Sequence, residues 1–258
     1  MANGFVKTAS IDPIAWKMEY AVTANRMAGV TRIFSGGHSP TPTANSDVWE
    51  GAGLYPFQTS ATKLEILSAS ANDTAAGTGA RTFTLTGLDA NFNAISEVLT
   101  LNGVTPVVTV NSYLRVNNLS IATAGSGGSN AGDVTLRVQG GGATQGIARA
   151  GYGYAKTAIY TVPTGFTLFV TDLLFAVAGN GNAVNITYSF TRITAAGVIT
   201  TTNEYNTNPS VPIQRLPDMS APVTQQTCVT TRITTIGGVP TGAYAAFEGF
   251  LVDNTQLA

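Results

Sequence analysis

The sequence predicts an all-β chain of antiparallel β-sandwich or jelly-roll type, read as two tandem sandwiches preceded by an extended N-terminal arm. Three observations carry this reading. Apolar residues alternate with threonine over short runs, turn signals recur at short intervals, and no convincing amphipathic helix interrupts them. One large interleaved sandwich is the alternative arrangement.

Residues 1–56 read as arm and linker, because they hold both tryptophans, most of the methionines and the single histidine. Asp12-Pro13 suits the start of a short helix. Yet Ile14, Trp16, Met18, Tyr20 and Val22 alternate with Ala15, Lys17, Glu19, Ala21 and Thr23, a period of two that favours extended structure. The stretch from Ser35 to Pro42 has the composition of a loop.

Residues 57–140 form the first predicted sandwich. Phe83 and Leu85 alternate with Thr82, Thr84 and Thr86, and Val134, Leu136 and Val138 with Thr135 and Arg137. Threonine is β-branched and tolerates water, so it can coat an outward face without charge. Turn signals fall at Gly77-Thr78-Gly79, Leu88-Asp89-Ala90-Asn91, Asn102-Gly103 and Gly125-Ser126-Gly127-Gly128, of which Asn-Gly is the strongest hairpin signature. The run Gly140–Gly146 is the candidate domain boundary, which leaves 147–258 as the second sandwich. There Ile186, Tyr188 and Phe190 alternate with polar residues, Gly179–Asn182 and Ala195-Ala196-Gly197 sit at hairpin positions, and Ala245, Phe247, Gly249 and Leu251 mark a closing strand.

Hydrophobic residues make up 44 % of the chain, but charged ones only 10 %, against a usual figure of about 25 %. With a net charge of -1 the chain should fold, and should also associate, since little surface charge opposes contact between subunits. A monomer coated with Thr, Ser and Asn is the competing reading. A pI near 5.8 and the lack of a Lys/Arg run argue against nucleic acid. No stretch is long and apolar enough for a membrane span, and the first residues lack the pattern of a signal peptide, so manufacture and assembly in a cytoplasm are expected.

Chemistry-bearing motifs are scarce, and no enzyme activity and no cofactor are expected. His38 has Ser35 and Ser39 as neighbours, but adjacency in a loop is not a catalytic triad. One Cys and one His cannot close a zinc site. Asp89-x-Asn91-x-Asn93 opens like a calcium loop, but Ala94 and Thr100 stand where glycine and glutamate belong, which leaves an Asx-rich turn. Gly141–Gly146 lacks the lysine of a phosphate loop. Cys228, beside Val229, reads as a small buried hydrophobe. Tyr152 and Tyr154, with Trp49 and Tyr55, are candidates for an aromatic sugar platform, with core or interface packing as the competing reading.

Three phrases carry a resemblance: Val48-Trp49-Glu50-Gly51-Ala52-Gly53-Leu54-Tyr55-Pro56-Phe57, then Asp73 through Gly87-Leu88-Asp89, and Ile95-Ser96-Glu97 through Leu101-Asn102-Gly103. Together they resemble β-rich virion structural proteins of tailed bacteriophages, and Tyr160-Thr161-Val162-Pro163-Thr164-Gly165-Phe166-Thr167 resembles the opening of phage jelly-roll modules. The resemblance implies a virion protein: a capsid decoration or cement protein on the head shell, or a neck or tail accessory such as a fibre base. It also implies a homo-oligomer, a trimer by analogy, with the major capsid protein or other virion subunits as partners. The expected assembly-interface residues are Trp16, Met18, Tyr20, Trp49 and Tyr55, and deleting residues 1–56 should leave a folded β-protein that no longer binds heads. A carbohydrate-binding module is the alternative from another class.

Overall fold

The computed structural model describes residues 22, 27–179, 183–210, 212–215 and 221–257. In chain order, β1 (Val30–Ser39) and β2 (Ser46–Asp47) precede a block of seven strands. These are β3 (Thr62–Ser68), β4 (Ala80–Leu88), β5 (Ala94–Thr100), β6 (Val107–Tyr113), β7 (Arg115–Ala124), β8 (Val134–Val138) and β9 (Thr144–Ala148). A second block follows with β10 (Ile159–Thr161), β11 (Phe166–Gly179), β12 (Asn185–Ile193), β13 (Ile199–Thr207), β14 (Ile213–Arg215), β15 (Cys228–Gly237) and β16 (Pro240–Asp253), closed by a 3-10 turn at Asn254–Gln256.

The fold is all-β, and every strand pairing among the described residues is antiparallel. Four sheets result. The first runs β1-β16-β11-β14 and the second β10-β15-β12-β13, with β2 also on β15; the third runs β6-β3-β8-β9 and the fourth β5-β4-β7.

Two apolar cores follow from the alternation in the sequence. Leu64 and Ile66 of β3 and Leu136 of β8 meet Phe83 and Leu85 of β4 and Leu119 of β7, so the third and fourth sheets share one core. Leu173 and Phe175 of β11 and Phe247 of β16 meet Ile186 and Tyr188 of β12 and Ile233 of β15, so the first and second sheets share the other. Each such side chain contributes about 1.5–3 kcal/mol by leaving water. Threonines at the alternate positions of β4 stay partly exposed, as their spacing predicts.

Several expectations require correction. Residues 30–47 are not part of an arm: β1 pairs with β16 over ten register positions, Val30↔Val252 to Ser39↔Ala243, and β2 pairs with β15. The glycines and serines at 35–39, read as loop, are strand, because Gly37 lies where a Cβ would stand 2.2 Å from the Val48 carbonyl oxygen. Val22 is helical rather than extended, and it is buried against Phe250 and Val252 on the first sheet. Gly140–Gly146 is not a linker: Gly140 at φ 84 and Gly141 at φ 79 lie in the turn of the β8–β9 hairpin, and Thr144–Gly146 begin β9. Asn102-Gly103 joins strands of different sheets and forms no hairpin; β11 and β12 likewise belong to different sheets, and 180–182, read as a hairpin position, lie outside the described residues. Trp16, Met18, Tyr20 and Asp12-Pro13 lie outside the described residues.

Buried carboxylates hold the connections. Asp73, fully buried, accepts from Ser68 Oγ at 2.5 Å and from the amides of Ala80, Ala131 and Gly132 at 2.7, 2.8 and 3.0 Å. Asp47, also fully buried, accepts from Arg232 Nε at 3.0 Å and from the Tyr55 amide at 2.9 Å. Glu65 on β3 accepts from the amides of Gly140 and Gly141, both at 3.1 Å, and from Arg137 Nε at 2.7 Å.

Two predictions follow from these anchors. A chain beginning at residue 57 lacks β1, β2 and the Asp47–Arg232 pair, so the C-terminal block should lose its cooperative melting transition. A chain beginning at residue 22 should keep it, and calorimetry on both checks this. Hydrogen bonds from Gly140, then Arg137 and Gly141, hold the Glu65 carboxyl below its ordinary 4.5 against the opposing effect of burial. A carboxyl lowered by folding contributes stability that is present above 4.5 and is lost as pH falls through the folded-state value. Between about pH 7 and 3, Glu65→Gln should therefore lose less melting temperature than the parent protein.

Candidate functional site

Two features stand out where the blocks meet: a chain of charged groups at the junction and an open groove beside it. His38 lies on β1, not in a loop. Its Nδ1 is 2.7 Å from Glu50 Oε1, and its ring stacks on Tyr244 with centroids 4.5 Å apart. Glu50, only 2 % exposed at its side chain, also accepts from Arg149 Nε at 2.8 Å, and Arg149 Nη1 reaches Asp133 Oδ2 at 2.7 Å. Glu50 first, and then Asp133, hold the Arg149 guanidinium above its ordinary value, against burial. Burial opposes ionisation of Asp133, but the Ala150 amide and Arg149 overcome it and lower its carboxyl.

This arrangement clamps two blocks and does not form a nucleophile. Ser35 Oγ donates to the Thr157 and Ile159 carbonyls at 2.8 and 3.1 Å, while Ser39 is buried on the face of β1 opposite to His38. Neither hydroxyl bonds to the imidazole, so no triad is assembled among the described residues. Nor do these residues bring three or more His, Cys, Asp or Glu side chains together for a metal. Asp89 Oδ1 is taken by the Asn91 and Asn93 amides, both at 2.8 Å, which makes the calcium-like phrase an Asx turn. No helix among the described residues is long and apolar enough to cross a membrane.

The groove has a volume of about 950 Å³ and runs between β1 and the fourth sheet. Phe34 on β1 is 63 % exposed, and Tyr152 and Tyr154, on the segment between β9 and β10, are 53 % and 43 % exposed; all three line it. That segment is fixed from behind. Asn130, 3 % exposed, donates from Nδ2 to the Gly132, Ala148 and Arg149 carbonyls at 2.7, 3.1 and 2.9 Å and accepts from the Gly153 amide at 2.9 Å. Gly151 and Gly153 flank Tyr152 at φ 81 and 72, a left-handed conformation that glycine adopts without strain. Lys156 Nζ sits 3.3 Å from the centre of the Tyr152 ring.

The structure separates the four aromatics that the sequence groups together. Trp49 and Tyr55 are 3 % and 6 % exposed, packed edge-to-face at 5.0 Å with Ile159 and Cys228 beside them. Trp49 Nε1 donates to the Gly53 carbonyl at 3.0 Å and Tyr55 Oη to the Gln145 carbonyl at 2.9 Å. Both are therefore internal mortar between the blocks and present no docking surface. Phe34 was not singled out from sequence because it borders a run that reads as loop; the Gly-Tyr-Gly-Tyr spacing at 151–154 was the available signal for the groove.

Comparison with protein-family models, with curated proteins and with solved structures returns no match.

Cys228 is buried, and that burial first, with Asp47 adding to it, pushes its thiol up to about 12. An aromatic disulfide reagent at about pH 8 should leave the native protein unlabelled and react with one thiol per chain after unfolding in guanidinium. Rapid labelling of the native protein would contradict this reading.

Proposed function

We propose that the chain is a structural component of a tailed-phage particle, a decoration protein on the head shell, built as a jelly roll with a smaller β-sandwich inserted after its first strands. The observation that carries this reading is the strand order. Numbered 1 to 8 along the chain, β1, β10, β11, β12, β13, β14, β15 and β16 fall in the orders 1-8-3-6 and 2-7-4-5 in the two sheets that share a core. Only strands 4 and 5 are sequential neighbours in one sheet, and every other connection crosses to the facing sheet. With β2 set aside as an addition on β15, this winding supports reading the block as the eight-strand double Greek key used by viral shell proteins and lectins. Architecture alone does not assign function. Low charge and the phage-like phrases narrow the choice.

With Trp49 and Tyr55 buried, the contact surface is better placed on the inserted block. Val98 on β5, and Val108 and Val110 on β6, are 60, 40 and 80 % exposed, with Val104 between the two strands at 60 %. β5 and β6 are edge strands of their sheets, and an apolar sheet edge is a template for association. A homo-oligomer, a trimer by analogy, and the major capsid protein are the partners this reading requires.

The double variant Val108→Asp/Val110→Asp should fold, since exposed positions cost about 0.5 kcal/mol or less, but should fail to sediment with purified heads. Undiminished head binding would remove the valine edge from the docking surface. Immunogold labelling of whole particles tests the assignment itself: gold at the neck or tail replaces the shell position, and gold nowhere on the particle ends the virion reading.

A further inference from the structure

We propose that the groove between β1 and the fourth sheet binds neutral oligosaccharides, with Tyr152, Tyr154 and Phe34 as its stacking platform. The inference rests on the groove itself and is independent of the virion reading.

Exposed aromatics are the first argument. Tyr113, Tyr188, Phe83, Phe175 and Phe247 are fully buried, whereas three of the four rings that are 43 to 63 % exposed gather in one groove, the fourth being Tyr244 beside it. A pyranose ring offers a C–H face that packs on an aromatic face, and a rim of hydroxyls that need hydrogen-bond partners. The groove supplies such partners in Thr86, Ser96, Asn118 and Ser120, with the Asn118 side-chain amide oriented by donation to Ser120 Oγ at 3.2 Å.

Charge is the second argument. Among the described residues that line the groove, Arg32 is the one charged side chain, and its Nη2 is 2.5 Å from Glu248 Oε2. Lys156, just outside the lining, sets its ammonium over one face of the Tyr152 ring and leaves the other face for a ligand; with so few charges the lining suits an uncharged ligand rich in hydroxyls. Rigidity is the third. Asn130 holds the Tyr152–Tyr154 segment in place through the Arg149 carbonyl and the Gly153 amide, so little ordering entropy opposes binding. A volume of about 950 Å³ lies near the upper end of the roughly 300–1,000 Å³ typical of ligand sites, which suits several linked rings over a single sugar.

The test uses the full chain on an array of linear neutral oligosaccharides of glucose, galactose, mannose and N-acetylglucosamine, four to seven units long, with sialylated and sulfated glycans alongside. The best neutral glycan is then titrated calorimetrically. Binding to at least one neutral set is expected, weakened about tenfold or more by Tyr152→Ala/Tyr154→Ala with the melting temperature unchanged. Phe34→Ala should weaken it as well, and serves if the double variant does not fold. Val239→Ala, 81 % exposed and away from the groove, should bind as the parent does. Failure to retain any neutral glycan overturns the proposal, as does binding that both tyrosine and phenylalanine variants leave intact. Binding confined to sulfated or sialylated glycans and abolished by salt also overturns it. So would enrichment of a peptide from a display library that needs Tyr152 and Tyr154 while no glycan binds, since that assigns the groove to a protein segment.

Discussion

The pairing of β1 with β16 sets the terms for everything else in the molecule. It joins positions as far apart in sequence as Val30 and Val252, and it makes the C-terminal block discontinuous. The whole β3–β9 block then has to leave and re-enter at one place. That place is built accordingly: Trp49 bridges to Thr157, Trp49 and Tyr55 pack on Ile159 and Cys228, and Glu50 binds His38 on one side and Arg149 on the other. The insert is held at both of its ends, and the groove is the space left open beside that attachment.

Four of the scarce acids lie inside. Asp47, Glu50, Glu65 and Asp73 are all buried, and each serves as an acceptor for several donors where chain segments turn or cross. A carboxylate has about four lone-pair directions and suits such junctions, where backbone amides have no ladder partner. Burial of the charge is offset only because the donors are complete: Asp73 has three amides and a hydroxyl, and Asp47 has a guanidinium and an amide.

Local pattern was legible in the sequence, and long-range pairing was not. The strands β4, β8, β12 and β16 follow directly from alternation at Phe83–Leu85, Val134–Val138, Ile186–Phe190 and Ala245–Leu251. The Ala195–Gly197 hairpin was readable for the same reason, since Gly197 takes φ 79 in a tight turn. Failure came wherever tertiary contact overrides composition. Gly36 and Gly37 look like linker residues, but Gly37 is needed because the Val48 and Ala158 backbones press against β1. Asn102-Gly103 has a hairpin sequence, but its neighbours belong to different sheets, and Gly103 instead bonds to Asp73 and Ser68 backbones. At the candidate site, Tyr152 and Tyr154 were visible as a close pair of aromatics, whereas Asn130, Phe34 and the Glu50–Arg149 contact depend on folding that no local window contains.

A discontinuous C-terminal block also fixes an order of events during synthesis. The β3–β9 block has its own core and can condense as soon as Ala148 clears the ribosomal tunnel. β1, made before it, has no sheet to join until β16 emerges, about two hundred residues later. It therefore waits as an unpaired edge while the intervening chain is made, and this interval is when association with other chains is the greatest hazard.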